Sequence, residues 1–171
     1  MVELKPGDFF CTDGTGGLSR VITWFERMRA KDGRAEFCHC GTIIDSVGKT
    51  IESLATIRYG HISDYAGRKV LIGRWRGMTP QGHAEGVKAI SDDIGQIYPF
   101  WRLPLHALGI AWISSGKFQV CSERVAQHLI VAGFDDIGKW EGQNPDDIAD
   151  MIRRWRDVEI VFDGTWQKET R

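Results

Sequence analysis

The sequence lacks a long apolar run, an excess of charge of either sign and an internal repeat. A membrane-spanning helix needs roughly 18 or more consecutive apolar residues, and no stretch of the 171 residues approaches that length. The first six residues, Met1 to Pro6, also lack the apolar stretch of a signal peptide. We therefore expect an unexported chain without a membrane span.

Net charge is nearly absent, because 22 Lys and Arg stand against 23 Asp and Glu. A balanced chain lacks the basic surface that attracts nucleic acids or anionic membranes, so we expect no nucleic-acid partner. The apolar fraction of 42% is enough for one sizeable core. We predict a single domain over residues 1–171, with a tail that frays after Gly164.

Cysteine is scarce, with four residues at positions 11, 38, 40 and 121. A chain of this length does not need disulfides to fold, so reduced thiols are expected. Cys38 and Cys40 project from the same face of a predicted strand, too close in sequence to cross-link comfortably. The remaining roles for these thiols are core packing, metal binding or catalysis.

The spacing of apolar residues predicts helices and strands that interleave in one α+β unit. Alternating or β-branched segments predict strands at residues 9–11, 37–45, 50–54, 70–75 and 158–162. Apolar residues that recur at intervals of three and four positions predict helices over residues 18–28, 84–97, 125–130 and 148–155. Two of these helices begin at a cap followed by proline, Thr79-Pro80 and Asn144-Pro145. Residues 103–115 are apolar, and their pattern favours neither a helix nor a strand.

Cys121 stands at the predicted start of a helix. Unpaired N–H groups and the positive end of the helix dipole stabilise a thiolate at such a position. The N–H groups of Cys121 and Ser122 would also face an oxyanion formed when the sulfur attacks a carbonyl. The alternative is a small buried residue where a strand meets a helix.

His39 lies on the predicted strand 37–45, where alternation places it on the face opposite Cys38 and Cys40. An unperturbed pKa of about 6.5 lets an imidazole take a thiol proton and return it to a leaving group. His39 is therefore the candidate base, and the alternative is a half-buried histidine with satisfied hydrogen bonds.

Glu52, on the next strand, is a candidate to orient the imidazole. A turn at residues 44–47 would place it directly opposite His39, whereas a turn at Val47-Gly48 would move it several residues away. The alternative is a glutamate that faces solvent.

Cys38, His39 and Cys40, with Cys11 as a further ligand, also suggest zinc. The signal is weak, because alternation turns His39 away from the two thiols and no second CxxC or HxxxH cluster is present. The glycine-rich segment 13–17 lacks the lysine of a phosphate-binding loop and is interpreted as a turn. No metal or cofactor is predicted.

These segments together resemble the circularly permuted NlpC-type papain-like cysteine hydrolases, which include YiiX-like proteins and are related to lecithin:retinol acyltransferase. In this permuted order the histidine strand precedes the cysteine helix. The matching segments are residues 7–10, 16–27, 38–44, 51–53, 95–98 and 121–126.

The resemblance implies a papain-like α+β fold with an antiparallel sheet packed against helices. It also implies Cys121 as nucleophile, His39 as base, Glu52 as the polar orienter and Tyr98 near the pocket. Two departures are that cysteines flank the histidine, where small apolar residues are more usual, and that Glu52 stands where relatives often have histidine, asparagine or glutamine.

The expected activity is that of a thiol hydrolase or acyltransferase acting through an acyl-enzyme on Cys121. The substrate class stays open between a peptide, a peptidoglycan-like compound and an acyl ester, and the oligomeric state is equally open. The alternatives are a papain-like binding module that has lost catalysis and a zinc protein that uses Cys38 and Cys40.

Overall fold

A computed structural model describes residues 2–14, 36–54, 56–96 and 120–167. In these ranges the strands are β1 Phe9–Thr12, β2 His39–Ile43, β3 Lys49–Ser53, β4 Ile57–His61, β5 Lys69–Trp75 and β6 Val158–Thr165. The α-helices are α1 Pro80–Ser91, α2 Cys121–Val131 and α3 Pro145–Arg154, and short 3₁₀ turns cover Ile62–Tyr65 and Asp135–Ile137.

The strands of the described ranges form one sheet in the order β4-β3-β2-β1-β5-β6. Each strand is antiparallel to its neighbours. Helices pack against this antiparallel sheet, so the predicted α+β class is confirmed.

Both faces of the sheet are buried at its central strands β1, β2 and β5, whose alternate residues serve different cores. The face that carries Phe9, Cys11 and Cys40 packs against α2 and α3, through Val125, Ala126, Leu129, Ile148, Met151 and Ile152. The opposite face forms a second core from Leu4, Phe10, Ile43, Ile62, Tyr65, Val70 and Ile72. The central strand β1 is buried along its whole length for this reason.

The register of the β2–β3 hairpin differs from both predicted registers. Glu52 pairs with Gly41, which stands two residues beyond His39 on β2. The turn owes its position to Asp45, whose Oδ1 accepts the N–H groups of residues 47, 48 and 49 at 2.9–3.0 Å. Gly48 adopts a φ of +97° in this turn, a conformation that favours glycine.

Helix α1 begins as predicted and ends earlier. Thr79 Oγ1 accepts the N–H of Gly82 at 3.0 Å, which caps the start of the helix. Periodicity extended the helix to Ile97, but it stops at Ser91, and Ile94 lies in the turn that follows. One reason is Gly95, whose φ of +92° is incompatible with a continuing helix.

Two further differences concern the strands. The edge strand β4 was not predicted, since its Arg58 and Tyr59 are exposed and break the apolar pattern. Strand β6 continues through Thr165, and the N–H of Trp166 donates to the Arg68 carbonyl at 2.9 Å, so pairing extends beyond Gly164.

The predicted helix at residues 18–28, the ambiguous stretch 103–115 and Ile97 lie outside the described ranges. Within those ranges no helix combines the length and the apolar character that crossing a bilayer requires.

Candidate functional site

Cys121 is the first residue of α2, directly after the extended Val120. The first N–H groups of a helix have no partner within the helix. Glu123 binds two neighbouring backbone groups, accepting the N–H of Val120 at 3.0 Å and that of Gly142 at 2.9 Å. These bonds hold the strand-to-helix junction that carries the thiol.

Ser122 adds a second tether at the same junction. Its hydroxyl donates to the carbonyl of Gln143 at 2.7 Å, and the side chain is fully buried. The start of α2 is therefore tied to the segment before α3 by both Ser122 and Glu123. These bonds hold the backbone at the start of α2 in place.

His39 is the first residue of β2, and its ring bonds directly to Glu52. The distance from His39 Nε2 to Glu52 Oε2 is 3.0 Å. The two residues are diagonal neighbours on the same face of the hairpin, a separation that long side chains can bridge. His39 is 7% exposed and Glu52 1%, so the pair is shielded from water.

The Glu52 carboxylate is held by further side chains besides His39. Thr50 Oγ1 donates to Oε1 at 3.1 Å, and the Tyr65 hydroxyl donates to Oε2. Gly60 on β4 leaves the space that the carboxylate occupies, because a Cβ there would stand 1.7 Å from Glu52 Oε1. Three strands and a 3₁₀ turn thus converge on one carboxylate.

This environment keeps Glu52 ionised and Tyr65 protonated. Burial alone would raise the pKa of Glu52, but hydrogen bonds from His39 and Tyr65 and the charges of His39 and Arg58 lower it below its usual value. Burial and the adjacent Glu52 charge raise the pKa of Tyr65. Tyr65 therefore serves as a hydrogen-bond donor to a permanent negative charge.

The imidazole of His39 also interacts with the thiol of Cys121. Burial lowers the pKa of His39, but hydrogen-bond and charge interactions with Cys121 and Glu52 outweigh it and raise the pKa from 6.5 to about 9. The structure thus brings Cys121, His39 and Glu52 together, although the first two are more than eighty residues apart in the sequence. At neutral pH the imidazole carries a proton.

The other predicted residues have different positions. Cys40 turns away from His39 and its Sγ lies 3.3 Å from that of Cys11, while Cys38 Sγ lies 3.9 Å from the Thr12 carbonyl oxygen. Across the part of the chain that the structure describes, no three His, Cys, Asp or Glu side chains are grouped to hold a metal. Tyr98 lies outside the described residues.

The sequence interpretation missed Tyr65, Thr50 and Gly60. Alternation on β3 was a usable signal for Thr50, because it stands two residues from Glu52 on the same face. Tyr65 and Gly60 had no such signal, since they reach the site only when β4 pairs with β3.

The antiparallel sheet and the helices packed against it form a papain-like α+β fold. It is similar to the crystal structure of metalloprotein YiiX from Escherichia coli O157:H7, with a TM-score of 0.61 and 15% sequence identity. The likeness covers 94% of this chain and 98% of that one, and at this identity it shows the fold alone. No protein-family model matches the chain, and no curated protein matches its sequence.

Proposed function

We propose that the protein is a thiol hydrolase or acyltransferase of the circularly permuted NlpC type, with Cys121 as nucleophile. The observation that carries this proposal is that one imidazole, His39, bonds to the carboxylate of Glu52 and interacts with a thiol at a helix start. A charged acceptor on one side and a thiol on the other are the requirements of a cysteine–histidine nucleophile.

In the resting site the proton of Cys121 already resides on His39, so the reaction begins from a thiolate and an imidazolium. The thiolate attacks the substrate carbonyl carbon, a C–S bond forms, and the carbonyl electrons move to the oxygen. The N–H groups of Cys121 and Ser122 stabilise that oxyanion. When it collapses, the bond to the leaving group breaks, and the His39 imidazolium donates its proton to the departing amine or alkoxide.

The acyl-enzyme is then released by water or by an acceptor. His39, now neutral, takes the proton of the incoming nucleophile, which attacks the thioester carbonyl and displaces the Cys121 thiolate. Glu52 orients the imidazole throughout and stabilises its charged form, while Thr50 and Tyr65 keep the carboxylate in place.

The proposed substrates carry an amide or ester carbonyl, in a peptide, a peptidoglycan-like compound or an acyl ester. The order of His39 before Cys121 supports kinship with permuted relatives such as lecithin:retinol acyltransferase.

YiiX is described as a metalloprotein, and a metal centre in this chain would need thiol, imidazole or carboxylate ligands grouped together. Cys40 lies beside one other sulfur, that of Cys11, and the described residues offer no third ligand in place. Structural zinc requires four ligands. The donor set in these ranges does not fit a metal centre, and the proposed mechanism uses none.

An activated ester, p-nitrophenyl acetate, tests the proposal. We expect a burst of p-nitrophenol and an acetyl group on Cys121, identified by peptide mass mapping of the quenched enzyme. Cys121→Ser should abolish the burst, and the matched control Cys38→Ser should retain it. A folded wild-type chain without acetylation of Cys121 would contradict the proposal and favour a binding module.

A further inference from the structure

Cys11 and Cys40 are paired residues of the adjacent strands β1 and β2. Their sulfurs are 3.3 Å apart, and both side chains are fully buried. Neither thiol belongs to the cluster of Cys121, His39 and Glu52, because both project from the opposite face of the sheet into the core under α2 and α3.

The backbone geometry at this pair allows a disulfide. The N–H of Ile43 donates to the carbonyl of Asp8 at 2.7 Å, which makes Phe9 and Thr42 a non-hydrogen-bonded pair. Hydrogen-bonded and non-hydrogen-bonded pairs alternate along antiparallel strands, so Cys11 and Cys40 form another non-hydrogen-bonded pair. The Cα atoms of such pairs are roughly 4.5 Å apart, and disulfides accept Cα separations from roughly 4.4 to 6.8 Å.

We propose that Cys11 and Cys40 form an oxidative modification site that a hydroperoxide converts to an intramolecular disulfide. The Cys11 thiolate attacks the peroxide, the O–O bond breaks, and sulfenic acid and an alcohol (water, for hydrogen peroxide) are formed. Cys40 then attacks the sulfenic sulfur, the S–S bond forms and water leaves. In sum, two thiols lose two electrons and two protons to one peroxide.

A cation lies near this pair of thiols. Arg153 on α3 interacts electrostatically with Cys11. Arg153 is one-third exposed at its side chain and also pairs with Glu36 and Asp163, so its charge is shared.

Oxidation would join β1 and β2 next to His39. Cys40 directly follows His39, and His39 pairs with Thr12, which follows Cys11. The disulfide therefore forms beside the strand position that carries the imidazole. The proposal does not depend on the proposed function, because the test uses a chain without Cys121.

The test uses the full chain with Cys38→Ser and Cys121→Ser, which leaves only the two cysteines of the site. After hydrogen peroxide treatment of the folded protein, we expect it to lose the mass of two hydrogen atoms. Both thiols should disappear from a titration under denaturing conditions and return with dithiothreitol. Peptide mapping should show Cys11 linked to Cys40.

A third substitution, Cys40→Ser, provides the control. It should leave Cys11 as sulfenic or sulfinic acid, with the added mass of oxygen and no internal cross-link. If the double variant does not fold, differential alkylation of the oxidised wild-type chain reports the same linkage. Retention of both thiols, overoxidation of Cys11 without a disulfide, or a disulfide between other cysteines would overturn the proposal.

Discussion

Glu52 lies diagonally from His39 across the β2–β3 hairpin, and its Oε2 is 3.0 Å from the imidazole Nε2. The position directly across from Glu52 is Gly41, which has no side chain. A Cβ at Gly41 would stand 2.6 Å from the Phe10 ring. The diagonal contact lets the carboxylate also reach Thr50 and Tyr65, so a single buried charge is shared by three donors.

Glu52→Gln keeps the shape of the side chain and removes its charge. We expect the rate of Cys121 alkylation by iodoacetamide at pH 7 to fall by roughly tenfold or more, because the protonated imidazole loses its stabilising anion. The matched control is Glu3→Gln, whose side chain is 82% exposed. An unchanged alkylation rate in Glu52→Gln would contradict the role of this carboxylate.

Tyr65→Phe removes one donor from Glu52 and leaves the ring packing against Phe10. We expect a loss of about 1–3 kcal/mol in the free energy of unfolding, since a buried carboxylate loses a hydrogen bond. The pKa of His39, followed by NMR titration, should also shift, because the carboxylate that accepts its hydrogen bond loses one of its other donors. Tyr59→Phe, at a half-exposed ring, should change neither quantity; a purely structural role for Tyr65 would leave the His39 titration unmoved.

The raised pKa of His39 predicts a pH-dependent contribution to stability. The folded state holds this proton up to about pH 9, whereas the unfolded chain releases it near 6.5. The contribution is therefore complete below pH 6.5 and is lost as pH rises towards 9. The stability difference between wild type and His39→Gln, from urea unfolding, should shrink across that window. A difference independent of pH would show that the pKa is not raised.

His128 predicts the opposite dependence. It is fully buried on α2 and lies beside His83 of α1, with ring centroids 5.4 Å apart. Burial and the neighbouring His83 lower the pKa of His128 to about 3. The unfolded chain takes up a proton near pH 6.5 and the folded chain does not, so stability falls as pH drops from 6.5 towards 3.

His128→Gln should weaken that loss of stability in acid, as measured by urea unfolding at several pH values. His61→Gln, at a partly exposed site outside this helix pair, should leave the acid dependence unchanged. Equal acid sensitivity in wild type and His128→Gln would contradict the prediction.

Local patterns predicted most of the described fold. Alternation located β1, β2, β3, β5 and β6, and the caps at Thr79 and Asn144 located the starts of α1 and α3. These strands and helix starts depend on residues that are close together in the sequence, so the sequence alone is enough to predict them. The sequence pattern did not predict strand β4, because an edge strand with one exposed face need not repeat an apolar pattern.

The sequence by itself determined that Cys121 begins a helix and that His39 and Cys40 face opposite sides of a strand, because both follow from local periodicity. Only the tertiary structure decided that His39 contacts Glu52 diagonally, that Tyr65 and Gly60 complete the carboxylate site, and that Cys11 meets Cys40. Those contacts depend on strand register and sheet order, which arise from packing between segments far apart in the chain.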